Sequence, residues 1–157
     1  MAKILIIYFS KTGNTKEMVA SVAEGVKEEG LDVEVEKVQE AKVEDLLSAD
    51  GIILGSPTYY GIMAGPLKNF IDESIKYHGK LAGKVGGAFA TSGVFGGGNE
   101  TTVLDIVKAF LVHGMIIPGD TNAPYGAVAI GKPDVSAKAS CRELGKRISH
   151  LVKQLNR

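Results

Sequence analysis

Short apolar runs alternate with helical patterns along the whole chain, and this alternation restricts the fold more than any other feature. Residues 3–9, 51–56 and 84–92 are runs of apolar and small residues, as expected for strands that helices cover on both faces. Helical patterns follow the strands, and they cover residues 15–29, 43–50, 65–78, 99–113 and 135–155. Residues 31–38 alternate apolar with acidic side chains, which predicts a half-exposed strand at a sheet edge.

The order of strand and helix requires parallel strands joined by right-handed crossovers. A fifth strand is predicted at residues 115–119, which residues 127–131 could continue after a loop. We therefore predict a single doubly wound α/β domain over residues 1–157, a five-stranded parallel sheet with helices on both faces. In such sheets ligands bind beyond the carboxyl ends of the strands, so the loops that follow the strands are the candidate site.

Charge and cysteine content exclude several classes of function. Lys plus Arg and Asp plus Glu number 18 each, so no net charge recruits nucleic acid. The single cysteine, Cys141, cannot form an internal disulfide, which favours a reducing cytoplasm. No apolar run approaches the roughly 20 residues that span a membrane. We expect a cytoplasmic protein without a membrane span, a nucleic acid partner or a bound metal.

The first candidate loop, residues 10–15, places three hydroxyls around a glycine where a strand gives way to a helix; we name it the hydroxyl loop. Ser10, Thr12 and Thr15 surround Gly13. The free N–H groups and positive dipole end of a helix N-terminus favour an anion, and glycine permits close approach. Capping by Thr12 or Thr15 would explain one hydroxyl, whereas a phosphate site explains all three. The loop matches neither G-x-x-x-x-G-K-[ST] nor G-x-G-x-x-G, so a resident nicotinamide dinucleotide is not expected.

Two further unusual loops follow the next two buried strands. In the tyrosine loop, residues 57–61, we expect Pro57 to end the strand, and the two adjacent tyrosines could wall a flat ring. The glycine loop, residues 93–99, has four glycines around Phe95, which suits either close ligand approach or plain flexibility. Because three carboxyl ends meet at one sheet edge, we expect a ligand with a phosphate and a flat, polar-edged ring, such as FMN.

These loops resemble those of the flavodoxin superfamily, and more specifically of the WrbA-type NAD(P)H:quinone oxidoreductases. The resemblance runs from residue 3 to about residue 131, and residues 97–115 are its most discriminating part. It is carried by ILIIYFSKTGNT, GSPTYYGIMAGPLKNFID, TSGVFGGGNETTVLDIVKAFLVHGMIIPG and PYGA. It implies a flavodoxin-like fold with strand order 2-1-3-4-5, bound FMN, and NADH or NADPH as the electron donor.

The resemblance also implies roles for individual residues. The residues that match the phosphate loop of the family, with Lys11 included as its neighbour, are Ser10, Lys11, Thr12, Gly13, Asn14 and Thr15. Those that match the loop along one side of the flavin ring are Pro57, Thr58, Tyr59, Tyr60 and Gly61. Those that match the loop on the other side are Thr91, Ser92, Gly93, Val94, Phe95, Gly96, Gly97 and Gly98. His113 matches a histidine that reaches the flavin site, often from a neighbouring subunit, and we predict a flavin or substrate contact for it.

The sequence departs from the family at several places. The family's P-T-R-F-G is P-T-Y-Y-G at residues 57–61, and a tryptophan expected near residues 77–78 is absent. The segments between the second and third strands and before Pro124 are shorter than in the family. Since these segments help to build the family's tetramer, whether this chain forms a homo-oligomer stays open.

The sequence leaves two other functions to be weighed against an enzyme. A flavodoxin that carries electrons between protein redox partners would share the fold and the cofactor, but such carriers are commonly strongly acidic. A flavin-free scaffolding domain would have no use for Ser10, Thr12 and Thr15 together. We therefore expect an FMN enzyme in which hydride passes from NADH or NADPH to the flavin and two electrons then pass to a quinone.

Overall fold

The strands and helices alternate as the sequence predicts in a computed structural model that describes residues 1–157. The strands are β1 (Lys3–Tyr8), β2 (Asp32–Lys37), β3 (Gly51–Tyr59), β4 (Ile62–Met63), β5 (Val85–Ser92) and β6 (Ala127–Ile130). The helices are α1 (Asn14–Glu28), α2 (Asp45–Ser48), α3 (Gly65–Glu73), α4 (Asn99–Val112) and α5 (Val135–Leu155). A short 3-10 helix, Ser74–Tyr77, follows α3 within the segment predicted as one helix. None of the helices combines the length and hydrophobicity that crossing a membrane requires.

Five of the six strands form one parallel sheet in the order β2-β1-β3-β5-β6, while β4 pairs antiparallel with the end of β3. Counted among the parallel strands alone, this is the predicted order 2-1-3-4-5, so the fold prediction is confirmed. β2 pairs with β1 only and is largely exposed, as its alternating pattern indicates.

Two apolar clusters lie on opposite faces of the sheet. Along β1, Leu5 and Ile7 belong to the cluster under α3 and α4, whereas Ile4 and Ile6 belong to the cluster under α1 and α5. Because successive strand side chains point to opposite faces, a strand covered on both sides needs apolar residues at every position. Helices on both faces therefore leave the two ends of the sheet as the open places for a ligand.

The prediction of a strand at residues 115–119 was wrong. Only Ile116 bridges to the sheet there, opposite Val85. Pro118 cannot donate to a ladder, and the chain leaves the sheet at this point. The fifth parallel strand is β6, which lies within the segment that was predicted only as a continuation.

The prediction that Pro57 ends the third strand was also wrong. β3 continues to Tyr59, and Pro57 pairs with Thr91 of β5. The Gly55 carbonyl accepts from the N–H of Phe9 at 3.1 Å, so residue 57, two positions on, also turns toward the side of β1. Since β1 ends at Tyr8, the N–H that proline lacks would lie beyond the last residue of the neighbouring strand and would not break the ladder between β1 and β3. β3 can therefore extend beyond its neighbour and carry the tyrosines past the end of the sheet.

Candidate functional site

The carboxyl ends of β1, β3 and β5 bring the three loops together at one end of the sheet. β3 lies between β1 and β5, with Tyr8 opposite Gly55 and Pro57 opposite Thr91. A direct hydrogen bond joins the hydroxyl loop to the end of β5, since Thr15 Oγ1 lies 2.9 Å from Thr91 Oγ1. The site is thus built from segments that are far apart in the sequence.

The hydroxyl loop offers backbone donors rather than a capped helix. The N-cap of α1 is Gly13, with φ +99°, and no side chain caps the helix there. Only Ser10 bonds to the first turn, accepting from the N–H of Lys16 at 3.3 Å. The capping interpretation of Thr12 and Thr15 is therefore wrong. None of the backbone N–H groups from Ser10 to Gly13 donates to an acceptor in the chain, so they remain available to an anion.

Thr15 differs from the other hydroxyl residues of the loop because it is buried, with 1% of its surface exposed. Its partner Thr91 is also buried. In a bond between two hydroxyls only one donates, so the other keeps a proton to give. The pair therefore fixes the base of the loop and still has one O–H for a ligand, while Thr12 is exposed at the surface.

The tyrosine loop consists of the last three residues of β3 and a two-residue turn that leads into β4. Tyr59 pairs with Ile62, and the two residues between them have positive φ, +50° at Tyr60 and +81° at Gly61. Two left-handed central residues match the turn that suits a tight hairpin, and only Gly61 adopts this backbone without strain. The hairpin holds the Tyr60 side chain fully exposed beyond the sheet.

The glycine loop is anchored at its base and bare at its tip. Ser92 is buried, donates to the carbonyl of Val94 at 3.0 Å, and accepts from the Asn99 amide at 3.1 Å. Phe95 is 91% exposed at the tip, and Gly98 closes the loop with φ +99°. The loop presents one aromatic ring and exposed backbone, as its composition suggests.

These features fit a phosphate and a flat ring. A Cβ added at Gly13 would meet no atom within 4 Å, so open space lies beside the free N–H groups of the hydroxyl loop, and we call this space the cradle. Tyr60 and Phe95 supply exposed aromatic surface from two different loops. No group of three or more His, Cys, Asp or Glu residues lies close enough to hold a metal ion.

A separate cavity of about 640 Å³ lies on the other side of the glycine loop, against β6 and the start of α5. It shares Phe95 and three neighbouring residues of the glycine loop with the candidate site, and Thr101 also lines it, but it contains no residue of the hydroxyl or tyrosine loops. Glu100 and Asp134 line it, and no Lys or Arg does. Carboxylates disfavour a phosphate, so a phosphate-bearing ligand is better assigned to the three loops than to this cavity.

His113 lies at the far end of the domain from the three loops. It follows α4, whose 14 residues place it about 20 Å from the glycine loop at 1.5 Å per residue. Its Nε2 lies 2.8 Å from Ser74 Oγ, which itself donates to the carbonyl of Ile71 at 2.6 Å. Nε2 must therefore carry the proton, and Nδ1 is buried without a partner. Burial, and secondarily His78, lowers the pKa of His113.

This position of His113 does not allow contact with a ligand at the loops of its own chain. A contribution to the site of a neighbouring subunit stays a prediction. Cys141 is buried in α5, and burial raises the pKa of its thiol to about 12, which fits a structural residue rather than a nucleophile.

Two adjacent residues that the sequence analysis missed join the loops. Thr101 Oγ1 and Thr102 Oγ1, in the first turn of α4, each lie within hydrogen-bond distance of an oxygen of the tyrosine loop and of the Gly98 carbonyl oxygen, so each hydroxyl proton is shared between two acceptors. The stretch GGNETT was interpreted only as a helix start. Paired hydroxyls next to a glycine-rich loop are the signal that could have identified them.

Comparisons with known proteins agree with this geometry. The family described as "Flavodoxin domain" matches residues 5–122. A protein named "Flavodoxin" from Aquifex aeolicus is 40% identical, over 97% of this chain and 88% of its own. A protein named "NAD(P)H dehydrogenase (quinone)" from Bradyrhizobium diazoefficiens is 33% identical, over 99% of this chain and all of its own. The crystal structure of a "flavodoxin, WrbA-like protein" from Agrobacterium tumefaciens superposes with a TM-score of 0.83 at 27% identity, covering 98% of this chain and 99% of that one.

Proposed function

The chain belongs to the flavodoxin family, and on this premise we propose that it is an FMN-dependent NAD(P)H:quinone oxidoreductase. The observation that carries the proposal is the charge of the site. The hydroxyl, tyrosine and glycine loops contain no Asp or Glu, and Lys11 is their one charged residue. Such a surface does not repel the phosphates of a nicotinamide dinucleotide, and it lacks the carboxylates with which an acidic carrier attracts basic protein partners.

The three loops divide the binding of FMN between them. The free backbone N–H groups from Ser10 to Gly13 and the start of α1 would hold the phosphate, with Thr12 and Asn14 as further donors. Tyr60 and the glycine loop would flank the ring, and exposed backbone of both loops would bond to its polar edge. The electrostatics of the cradle come from backbone dipoles, so the proposed site needs no buried cation.

FMN, when bound, supplies the chemistry by which a hydride from NADH or NADPH becomes two electrons for a quinone. The chain's own part is to bind, to orient and to leave one ring face open. None of the three loops carries a His, Asp or Glu that could act as general acid or base. Protons would therefore be exchanged with solvent at the exposed rim, where Tyr60 and Phe95 stand.

A flavodoxin that carries electrons for protein redox partners is the second candidate. The 40% identical relative that is named "Flavodoxin" favours it. Either role is compatible with a cytoplasmic location, which we propose from the single buried cysteine.

Anaerobic reduction separates the two candidates. FMN-loaded protein is mixed with NADH or NADPH, the flavin absorbance is followed, and a soluble quinone is then added. Bleaching followed by return of the colour with quinone is expected of the oxidoreductase. Protein that binds FMN but stays yellow would contradict the oxidoreductase and point to a carrier that another protein reduces.

A further inference from the structure

The first turn of α4 bridges the two loops that would flank the flavin ring. Thr101 Oγ1 lies 2.7 Å from the carbonyl oxygen of Gly61 and 2.8 Å from that of Gly98. Thr102 Oγ1 lies 2.9 Å from Thr58 Oγ1 and 2.9 Å from the Gly98 carbonyl oxygen. Since Thr58 and Gly61 belong to the tyrosine loop and Gly98 to the glycine loop, the two hydroxyls join these loops, and we call the space between the two loops the slot.

The backbones of the two loops also touch at this point. A Cβ added at Gly98 would lie 2.8 Å from Gly61 Cα and 2.9 Å from Thr101 Oγ1, so a residue larger than glycine does not fit at this junction. One helical turn further on, Asp105 Oδ2 accepts from the N–H of Met63 at 3.1 Å. Residues 101 and 105 lie on one face of α4, so this face holds both the turn of the hairpin and the strand that follows the turn.

Thr101 and Thr102 differ in what their hydroxyls are needed for. Thr102 is fully buried, and its hydroxyl must have a partner whatever the function of the site. Thr101 is exposed, so water could satisfy its hydroxyl and packing does not require the residue. Its bond to Gly61 nevertheless holds the tip of a hairpin whose turn carries a strained Tyr60. Fixing such a tip before a ligand arrives reduces the entropy lost on binding.

We propose that Thr101 is a positioning residue, whose hydroxyl sets the width of the slot between the tyrosine and glycine loops for a flat ring. This inference rests on the proposed FMN site. It assigns Thr101 to the ring end of the ligand and not to the phosphate end, because neither of its bonds reaches the hydroxyl loop.

The test compares three variants by titration of FMN-free protein with FMN and with riboflavin, which has the ring but no phosphate. Thr101→Val keeps the shape and loses the hydroxyl, Thr101→Ser keeps the hydroxyl, and Thr121→Val makes the same change at an exposed loop threonine. Because one net hydrogen bond is lost, Thr101→Val is expected to weaken both ligands by the same factor, about five- to tenfold. Thr101→Ser and Thr121→Val are expected to stay within about twofold of the wild type.

Several outcomes would overturn the inference. Unchanged affinities in Thr101→Val would show that the bridge does not shape the slot, and a loss confined to FMN would place the effect at the phosphate. A Thr101→Ser variant as weak as Thr101→Val would show that the hydroxyl is not the cause. Wild-type protein that binds neither ligand would overturn both proposals, whereas one that binds both but is not reduced by nicotinamide would contradict the oxidoreductase alone.

Discussion

Gly13 offers a direct test of the phosphate cradle, because a matched glycine lies at the other end of the same helix. Gly13 precedes α1 with φ +99°, and Gly30 follows α1 with φ +75°. A Cβ added at either position meets no atom within 4 Å. Alanine at either site therefore has a positive φ but no steric clash within the chain, and the strain is greater at Gly13, whose φ lies further from the left-handed region. Gly30→Ala serves as the control for an alanine with positive φ at an end of α1.

The positive φ and the open space at these glycines determine the expected changes in melting temperature and in FMN affinity. A left-handed backbone costs a residue with a Cβ about 1–2 kcal/mol, so each variant should unfold about 2–8 °C below the wild type, at about 2–4 °C per kcal/mol for a chain of this size. The Cβ of Gly13→Ala also enters the cradle and should displace the phosphate from at least one backbone donor. A hydrogen bond to a charged group is worth about 1.5–3 kcal/mol, so FMN affinity should fall at least about tenfold.

The assay is a fluorescence titration of FMN-free protein, paired with thermal unfolding followed by circular dichroism. Gly30→Ala should bind FMN like the wild type despite its lower melting temperature. Riboflavin should bind Gly13→Ala and Gly30→Ala equally, because it has no phosphate to displace. If Gly13→Ala bound FMN as tightly as Gly30→Ala does, the argument that this loop is a phosphate cradle would be refuted.

Three further predictions concern the hydroxyl loop, the buried histidine and the contact between helices α1 and α5. Thr12→Ala should weaken FMN binding without changing the melting temperature, whereas Thr15→Ala should also lower the melting temperature, because the hydroxyl of Thr91 loses its partner; equal melting temperatures would contradict this. The lowered pKa of His113 means that the unfolded chain takes up the proton first, so stability should fall as the pH drops below about 6.5. The fall should be smaller in His113→Gln, and an identical pH profile would exclude His113 as its source. Gly145→Ala should reduce the unfolding free energy by about 1–3 kcal/mol although alanine has the better helix propensity, because its Cβ would lie 2.2 Å from the Val22 carbonyl oxygen. Urea denaturation measures this free energy, and an unchanged value would contradict the prediction.

The sequence by itself determined the sheet and the place of the site. Unbroken apolar runs at β1, β3 and β5 are local patterns, and their alternation with helices predicts a doubly wound parallel sheet, whereas the strand order was implied by the family resemblance. The position of the three loops followed as well, since carboxyl ends of neighbouring parallel strands meet at one end. The positive φ at Gly13 and Gly98 can also be predicted from the sequence, because glycine is the residue that adopts a left-handed backbone freely.

The tertiary structure decided how far each element runs and what its side chains touch. Pro57 lies within β3 but beyond the last residue of β1, and no local sequence pattern gives the length of a neighbouring strand. The family resemblance implied that His113 reaches the flavin site, whereas the structure places it after α4, at the end of the domain remote from the three loops of its own chain. The bond between Thr15 and Thr91 joins residues 76 positions apart, and the bridge from Thr101 to Gly61 spans 40. Such contacts form only when the strands pair, because separation along the sequence does not determine which residues become neighbours in the fold.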